Sequence, residues 1–435
     1  KLSPNYTGVV FYTQTVENTS QMGMCHQQAD PTSDNVSDLI ATDGGTIKIT
    51  GASNILKLIP TSTSLVVVAE NGVWEITGPD GVFKATDFSI SKVSNVGATS
   101  AGSVVDAEGV VLYWGAGGIY QLVPDKISGR LGAQNITEST IQTLYNSIPS
   151  VAAANVTSVF DPASRQIKWM YNDKVLYDGV TLKNDYNREL VLDTVLGAFF
   201  TNTIQTLATD SPFVSGYMVT QAFNLVDDVQ AVTHNGDPVQ ANGVDVVVTE
   251  SVRSRGVSQT KYLTFTPNST GTNYGLSFSH YRQSDFVDWK VADGVGVDAA
   301  AFLVTGYEMF ADSQRDKQVT YLTTHFQRTE TGFIDTGGGQ LEATGESSCL
   351  TQAQWDFANS AAGGKFGTQF QAYRLNRMFV PVGSEDPFDY GTSVITTKSK
   401  LRGSGKAISL RFDTEATKDL HVLGWAMNVE GKRSV

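Results

Sequence analysis

The chain has 435 residues, with 31 Lys and Arg against 44 Asp and Glu, a formal net charge of −13 and a pI near 4.8. A surface of that sign repels nucleic acid at long range and argues against a sequence reader, whose footprint is a basic patch, so that any contact with DNA is expected to be transient or local. Cys25 and Cys349 give neither a disulfide framework nor a C-x-x-C metal pair, no apolar run is long enough to span a bilayer, and no basic-then-apolar signal opens the chain.

Residue 1 is Lys, so a processed product or part of a longer polypeptide is expected. With 41 Gly, 16 Tyr, 21 Phe and many Val and Thr, the composition favours strands and tight turns, and the expected fold class is all-β. Leu65 to Ile76, LVVVAENGVWEI, reads as a strand, an Asn71-Gly72 turn and a returning strand. Val110 to Leu122, VVLYWGAGGIYQL, repeats the plan around Gly117-Gly118. Gly115 and Gly117 begin a G-x-G-x-x-G spacing, but its sixth position is Tyr120. Ile119 to Val123 is β-branched and aromatic and is halted by Pro124, so the stretch is a hairpin rather than a phosphate loop opening a helix. Gly72 and Gly118 are 46 residues apart, as are Trp74 and Tyr120, a spacing within the period of a four-stranded propeller blade.

One helix is expected next: Asn135 and Glu138 form a capping-box pattern, Ile141, Leu144, Tyr145 and Ile148 share a face, and Pro149 ends it. Gln166 to Tyr171 before Asn172-Asp173, and Glu189 to Asp193 leading through Gly197 to Phe199-Phe200, read as further strands. From 216 to 300 the texture changes to short strands with turns at Asn235-Gly236, Asn242-Gly243 and Asn268-Ser269, an inserted β-rich module. Residues 301–435 return to long alternating strands: Cys349, Thr351, Ala353, Trp355 and Phe357; Ile408, Leu410 and Phe412; Leu423, Trp425, Met427 and Val429. The organisation expected is β-propeller blades over 1–215, the module over 216–300, and C-terminal strands over 301–435 that close the propeller, with one or a few short helices.

Motifs of catalysis are sparse. His26, His234, His280, His325 and His421 show no metal-ligand spacing. Gly403-Ser404-Gly405 lacks the G-x-S-x-G spacing, and Gly405-Lys406-Ala407 lacks the Walker Ser or Thr and the earlier glycine. Gly294 to Ala299 satisfies G-x-G-x-x-A after the strand-like Phe286 to Val291, but Asp298 would face a pyrophosphate with negative charge and no βαβ alternation surrounds it, so an ordinary loop is expected and no cofactor. Asp227-Asp228 and Glu385-Asp386 are adjacent carboxylate pairs, which on a strand face opposite ways and read as solvated turns. Asn-x-Ser/Thr triplets at Asn5, Asn18, Asn35, Asn135, Asn155 and Asn268 matter only in a eukaryotic secretory setting. One charged run stands out: Lys398, Lys400, Arg402, Lys406 and Arg411, with no acid from 398 to 411. It reads either as an edge strand guarded by lysines or as a basic strip that docks on an acidic neighbouring subunit or touches a passing phosphate backbone; the candidate contact residues are Lys398, Lys400, Arg402 and Lys406.

Several stretches share a further likeness: Ala29-Asp30-Pro31-Thr32-Ser33-Asp34 with Thr42-Asp43-Gly44-Gly45, the Leu65 to Ile76 hairpin, Asn187 to Asp193, Ser348-Cys349 to Trp355-Asp356-Phe357, Tyr373-Arg374 and Lys400-Leu401-Arg402-Gly403. Together they resemble the tail nozzle protein of short-tailed bacteriophages, also called tail tubular protein B. The likeness runs over most of the chain and rests on packing and turn residues. It implies a β-propeller with inserted domains in a virion tail, assembled as a homohexameric ring below the portal and adaptor rings, beside tail fibres or spikes, through which viral DNA passes. It implies no enzyme activity, no catalytic residue and no cofactor. The other function the residues support is a carbohydrate-binding or polysaccharide-cleaving propeller, from an aromatic- and carboxylate-rich β surface.

Overall fold

Short apolar runs broken every few residues by Gly, Asn or Asp give a chain many turns and little room for helices. The computed structural model describes residues 7–16, 18–20, 40–125, 130–162, 164–173, 186–203, 300–329, 347–358, 365–373, 394–416 and 418–431, with the backbone of strands between 213 and 280 and between 332 and 344. The protein is all-β, with 30 strands and two short α-helices among the described residues. It divides into two units, Lys1–His280 and Tyr281–Val435; the division falls inside the span 216–300.

In unit 1, β1 (Val9–Tyr12) pairs with β2 (Gly45–Lys48). Three four-stranded antiparallel sheets follow, each in sequence order. The first is β3 (Ile55–Pro60), β4 (Ser64–Ala69), β5 (Gly72–Thr77) and β6 (Ser89–Ser94); the second is β7 (Val105–Ala107), β8 (Val110–Gly115), β9 (Gly118–Pro124) and β10 (Leu131–Asn135). The third is β11 (Thr157–Asp161), β12 (Gln166–Tyr171), β13 (Arg188–Asp193) and β14 (Ala198–Thr203). Four consecutive antiparallel strands are the strand plan of a propeller blade. Gly72 and Gly118 each open the third strand of their sheet, with Trp74 and Tyr120 two residues on, so the 46-residue spacing joins equivalent positions.

Both hairpins lie where they were expected, with one difference of register. Ala69 pairs with Gly72, so Glu70-Asn71 is the two-residue loop and Gly72 belongs to the strand. In the second, Gly115 pairs with Gly118 across Ala116-Gly117, and the chain continues as strand β9, not helix. Gly118 has φ +153°, and a Cβ there would lie 2.4 Å from Thr137 Oγ1 and 2.6 Å from Asn135 Oδ1. Only glycine lets the end of β10 approach this closely.

Alternating side chains bury both faces of these sheets, which is why the strands read as nearly continuous apolar runs. Val67, Ala69, Trp74 and Ile76 pack on Val10, Ile47 and Ile49 of β1 and the β2 end. Val66, Val68 and Val73, on the other face, pack on Val111, Tyr113 and Leu122. Leu112, Trp114 and Ile119 turn the opposite way, onto Ile167, Trp169, Leu190 and Leu192. The sheets therefore stack face to face with like strands adjoining, β6 beside β10 and β7 beside β11.

The helix differs from its expectation. Asn135 ends β10 opposite Tyr120 and is no helix cap; its Oδ1 accepts from Thr137 N at 2.9 Å and Thr137 Oγ1 at 2.8 Å. Strand pairing prevails there, and α1 (Gln142–Ser147) begins later, after Ile141. Its expected face is kept: Tyr145 is buried, Ile141, Leu144 and Ile148 pack on the same core, and Tyr145 Oη donates to Gly115 O at 2.6 Å. Pro149 does close α1, and with φ −60° and ψ 139° it also caps α2 (Ser150–Ala154).

Between 213 and 280, within which the β-rich module was expected from 216, the strands are described as backbone: β15 (Phe213–Thr220), β16 (Leu225–Gln230), β17 (Gln240–Ala241), β18 (Val244–Asp245), β19 (Val247–Val252), β20 (Gln259–Pro267) and β21 (Tyr274–His280). β15, β20 and β21 form one sheet, β16 pairs with β19 and β17 with β18. Ala241 faces Val244 across Asn242-Gly243; those two, Asn235-Gly236 and Asn268-Ser269 lie outside the described residues.

Unit 2 contains β22 (Phe302–Val304), β23 (Lys317–Gln327), β24 (Gly332–Asp335), β25 (Leu341–Thr344), β26 (Leu350–Trp355), β27 (Phe370–Gln371), β28 (Val394–Lys400), β29 (Ile408–Asp413) and β30 (Val422–Gly431). One sheet has the order β22-β29-β26-β27, another β28-β23-β30, and β24 pairs with β25. Val319, Leu322 and Phe326 of the second sheet share a core with Ala353, Trp355, Ile408, Leu410 and Phe412 of the first. Cys349, Thr351, Ala353 and Trp355 are buried as expected, but Phe357 is 69% exposed. The strand stops at Trp355, and Asp356 and Phe357 both adopt left-handed φ of 54° and 58°. In β30 the expected inward set is also corrected. Met427 and Val429 pack on the core with Val422, and Trp425, though 39% exposed, pairs with buried Thr324 and has its ring 5.3 Å from that of buried Phe412, whereas Leu423 is 55% exposed. β23 shifts register against β30 where His325 faces Gly424 and Phe326 faces Val422, and a one-residue slip exchanges the faces of a strand.

Candidate interaction surface

The basic run occupies β28 and the turn that follows it. β28 is the outer strand of its sheet, paired with β23 alone. Alternation buries Thr397 and Ser399 and exposes Lys398 and Lys400. Lys398 Nζ lies 4.3 Å from the ring centroid of Tyr321, close enough for a cation–π attraction of about 0.5–1 kcal/mol at an exposed site. Lysines on an outer strand also discourage indiscriminate strand addition.

The turn beyond β28 is fixed by distant side chains. Trp355 Nε1 donates to Arg402 O at 3.2 Å, and Lys365 Nζ donates to Ser404 O at 2.8 Å. Gly405 exchanges backbone hydrogen bonds with Lys317, 3.0 Å one way and 2.7 Å the other. Lys406 N and Ala407 N both donate to Asp356 Oδ1, at 2.6 and 3.1 Å. A Cβ at Gly405 would lie 2.7 Å from both carboxylate oxygens of Asp356, so glycine is required. Lys317, only 4% exposed, donates its Nζ to the carbonyls of Lys406 at 3.0 Å, of Arg315 at 3.3 Å, and of Asp312. A buried ammonium is tolerated when its donors are filled, and here three carbonyls fill them.

Asp356 holds the frame electrostatically. Burial works to raise its pKa, but the hydrogen bonds from Lys365, Ala407 and Lys406 outweigh that and hold the carboxyl below its ordinary value. Its Oδ2 meets Lys365 Nζ at 2.7 Å. The result is a rigid backbone that presents the side chains of Arg402 and Lys406 to solvent. Among the described residues, no carboxylate pairs with Lys398, Lys400, Arg402 or Lys406.

The structure brings Lys398 and Lys400 to one face of β28 and places Arg402 and Lys406 on the fixed turn. It does not add Arg411 to them. Arg411 is bound to Asp413 at 2.8 Å, lies 4.9 Å from the Phe302 ring centroid, and has its pKa raised by the Asp413 hydrogen bond. Sequence reasoning missed Lys317, Asp356 and Lys365, which act across 39 to 89 residues of chain. One local sign was available: Lys317 shares strand parity with buried Val319, an inward position for a lysine.

The remaining sequence candidates are dispersed. His325 Nδ1 lies 3.0 Å from Thr396 Oγ1, and His421 Nε2 lies 3.3 Å from Asp419. Asp227 and Asp228 are consecutive in β16, opposite Glu250 and Thr249. His26, His234, Glu385-Asp386, Phe286 to Val291 and Gly294 to Ala299 lie outside the described residues. Among those described, no group of three metal-ligating side chains occurs. Comparison with protein-family profiles and with curated protein sequences gave no match.

Proposed function

We propose that the protein is a structural virion component, a tail nozzle of a short-tailed bacteriophage, whose copies form a homohexameric ring that conducts and gates genome ejection. The observation that carries this reading is the rigid basic surface of unit 2 within a chain of net charge −13. Cations with no carboxylate partner among the described residues, on an outer strand and a fixed turn, fit an acidic surface, and a second copy of this chain supplies one; complementary charge gives register and specificity at such a contact. Stacked four-stranded sheets support the reading as a stiff framework, and the likeness to nozzle proteins falls on residues that build it. Asp43 is buried and its Oδ2 accepts from Ile40 N, Asn187 to Asp193 leads into and forms β13, and Tyr373 is buried; Ala29 to Asp34 and Arg374 lie outside the described residues.

In this reading the work is mechanical. An acidic lumen lets a polyanion pass without holding it, because like charge disfavours adhesion over distances of about 8–10 Å at physiological salt. The ring would meet an adaptor ring above and fibres or spikes beside it, and viral DNA only in transit. Native mass spectrometry of the purified chain, with antibody labelling of intact virions, tests this. A closed homo-oligomer and label at the tail support it; a monomer at every concentration, or no label on virions, refutes it. A second reading, carbohydrate binding, is favoured by one feature of unit 1, the cleft beside Tyr12 and Phe83.

A further inference from the structure

A cleft of ≈ 320 Å³ opens in unit 1 beside the β3–β4 turn and the segment 78–83 that follows β5. Ligand clefts begin at about 300 Å³ and combine an apolar body with a few placed polar groups. Here the apolar part includes an aromatic corner. Tyr12 and Phe83 meet edge to face with centroids 5.0 Å apart, and Phe88 lies 5.6 Å from Phe83. Phe83 is 40% exposed, and it is delivered by the tight turn Gly78-Pro79-Asp80-Gly81, closed by Val82 N donating to Pro79 O at 3.1 Å.

The polar part is a run of four hydroxyls, Thr61-Ser62-Thr63-Ser64. Thr61 and Ser64 bond each other: the hydroxyls are 2.8 Å apart and Ser64 N donates to Thr61 Oγ1 at 3.0 Å, which fixes the turn. Ser62 and Thr63, exposed at its tip, make no side-chain hydrogen bond among the described residues. None of the described residues lining the cleft is charged. An anionic ligand would find no cation there, and a purely apolar one would leave both free hydroxyls without partners. A sugar ring satisfies both conditions, since its C–H face packs on an aromatic ring while its hydroxyls exchange hydrogen bonds with Ser62 and Thr63.

We infer that this cleft binds a short neutral saccharide, with one ring against Phe83 and its hydroxyls directed to Ser62 and Thr63. The inference rests on the carbohydrate reading of this cleft and is independent of ring assembly, which uses unit 2.

Titration calorimetry and saturation-transfer NMR on the full chain, with maltotriose, cellotriose and chitotriose as neutral probes and trigalacturonate as the acidic control, test it. At least one neutral probe is expected to bind with a Kd of about 1 mM or tighter. Phe83→Ala is expected to weaken that binding about tenfold or more, and Ser62→Ala with Thr63→Val to weaken it as well, with the oligomeric state unchanged. Because all three side chains are exposed, an unchanged melting temperature verifies that the variants fold. No signal with any neutral probe, preference for trigalacturonate, or affinity unaltered in folded Phe83→Ala would each overturn the inference. Those results would leave the nozzle reading standing, since that is read from assembly.

Discussion

The buried ammonium of Lys317 donates to the carbonyl of Lys406 at 3.0 Å, so one lysine of unit 2 fixes the backbone that displays another. The two are 89 residues apart, and the contact ties the start of β23 to the turn after β28. The basic surface is therefore built as part of the fold of unit 2.

Replacing Lys317 by Met keeps much of its volume and removes every donor from three carbonyls. The expected cost is about 2–4 kcal/mol, from lost charge-assisted hydrogen bonds and carbonyls left without donors. Urea unfolding followed by a probe in unit 2 measures it. A midpoint equal to that of the wild type would mean that the three bonds contribute nothing net.

Acid should loosen the same turn. Asp356 has a folded pKa below its ordinary value of 3.8, so its contribution is fully present above that value and is lost as pH falls through the folded pKa. Asp356→Asn is expected to lose stability at pH 7, where the carboxylate and its Lys365 pair are fully formed, and to flatten the acid limb below about pH 4, so that the two proteins converge as pH falls. The limb should not vanish. Asp312 is also held low, by backbone N–H groups of Gln314 and Arg315, and Glu415 by the Ser348 hydroxyl and Lys418. Unfolding measured at closely spaced pH values that gave the two proteins equal stability at pH 7, or the same slope of stability against pH below pH 4, would contradict the assignment.

Two tryptophans of unit 1 offer a controlled comparison. Trp114 and Trp169 are both fully buried, with centroids 6.3 Å apart. Trp169 Nε1 donates to Ser103 O at 3.1 Å, whereas Trp114 Nε1 is buried with no hydrogen-bond partner among the described residues. Trp169→Phe should therefore destabilise by about 1–2 kcal/mol more than Trp114→Phe, because only the first breaks a bond. Thermal unfolding of the two variants in one buffer reads the difference, and equal losses would refute the hydrogen-bond argument.

Charge reversal at Lys400 and Arg402 should weaken assembly without unfolding unit 2. Neither side chain has a described carboxylate partner, and the bond from Trp355 to Arg402 uses the main-chain carbonyl. Sedimentation at low and high salt is expected to show wild-type association weakening as salt rises and the double variant already weakened at low salt. Identical association of both proteins would reduce the strip to a solvated outer strand.

Local patterns carried much of the fold into view. Gly118, with its positive φ and no space for a Cβ, marks the second hairpin because the geometry leaves no other residue a place. Alternation from Cys349 to Trp355 reports a half-buried strand because period two is a property of the backbone itself. What stayed hidden depends on partners far along the chain. Asn135 carries the sequence of a helix cap, but pairing with Tyr120 makes it the end of a strand. Phe357 continues an alternation that two left-handed residues break, and Leu423 follows one that a register slip reverses. The basic residues were visible as a charge run, yet their rigidity comes from Lys317, Lys365 and Asp356, none of which is their neighbour in sequence.

Electron cryomicroscopy of the purified full-length chain tests the central proposal most directly. The account predicts closed rings of identical copies around an open channel, with the surface of Lys398, Lys400, Arg402 and Lys406 against a neighbouring copy. Dispersed single copies at all concentrations, or rings in which that surface faces solvent everywhere, would contradict it.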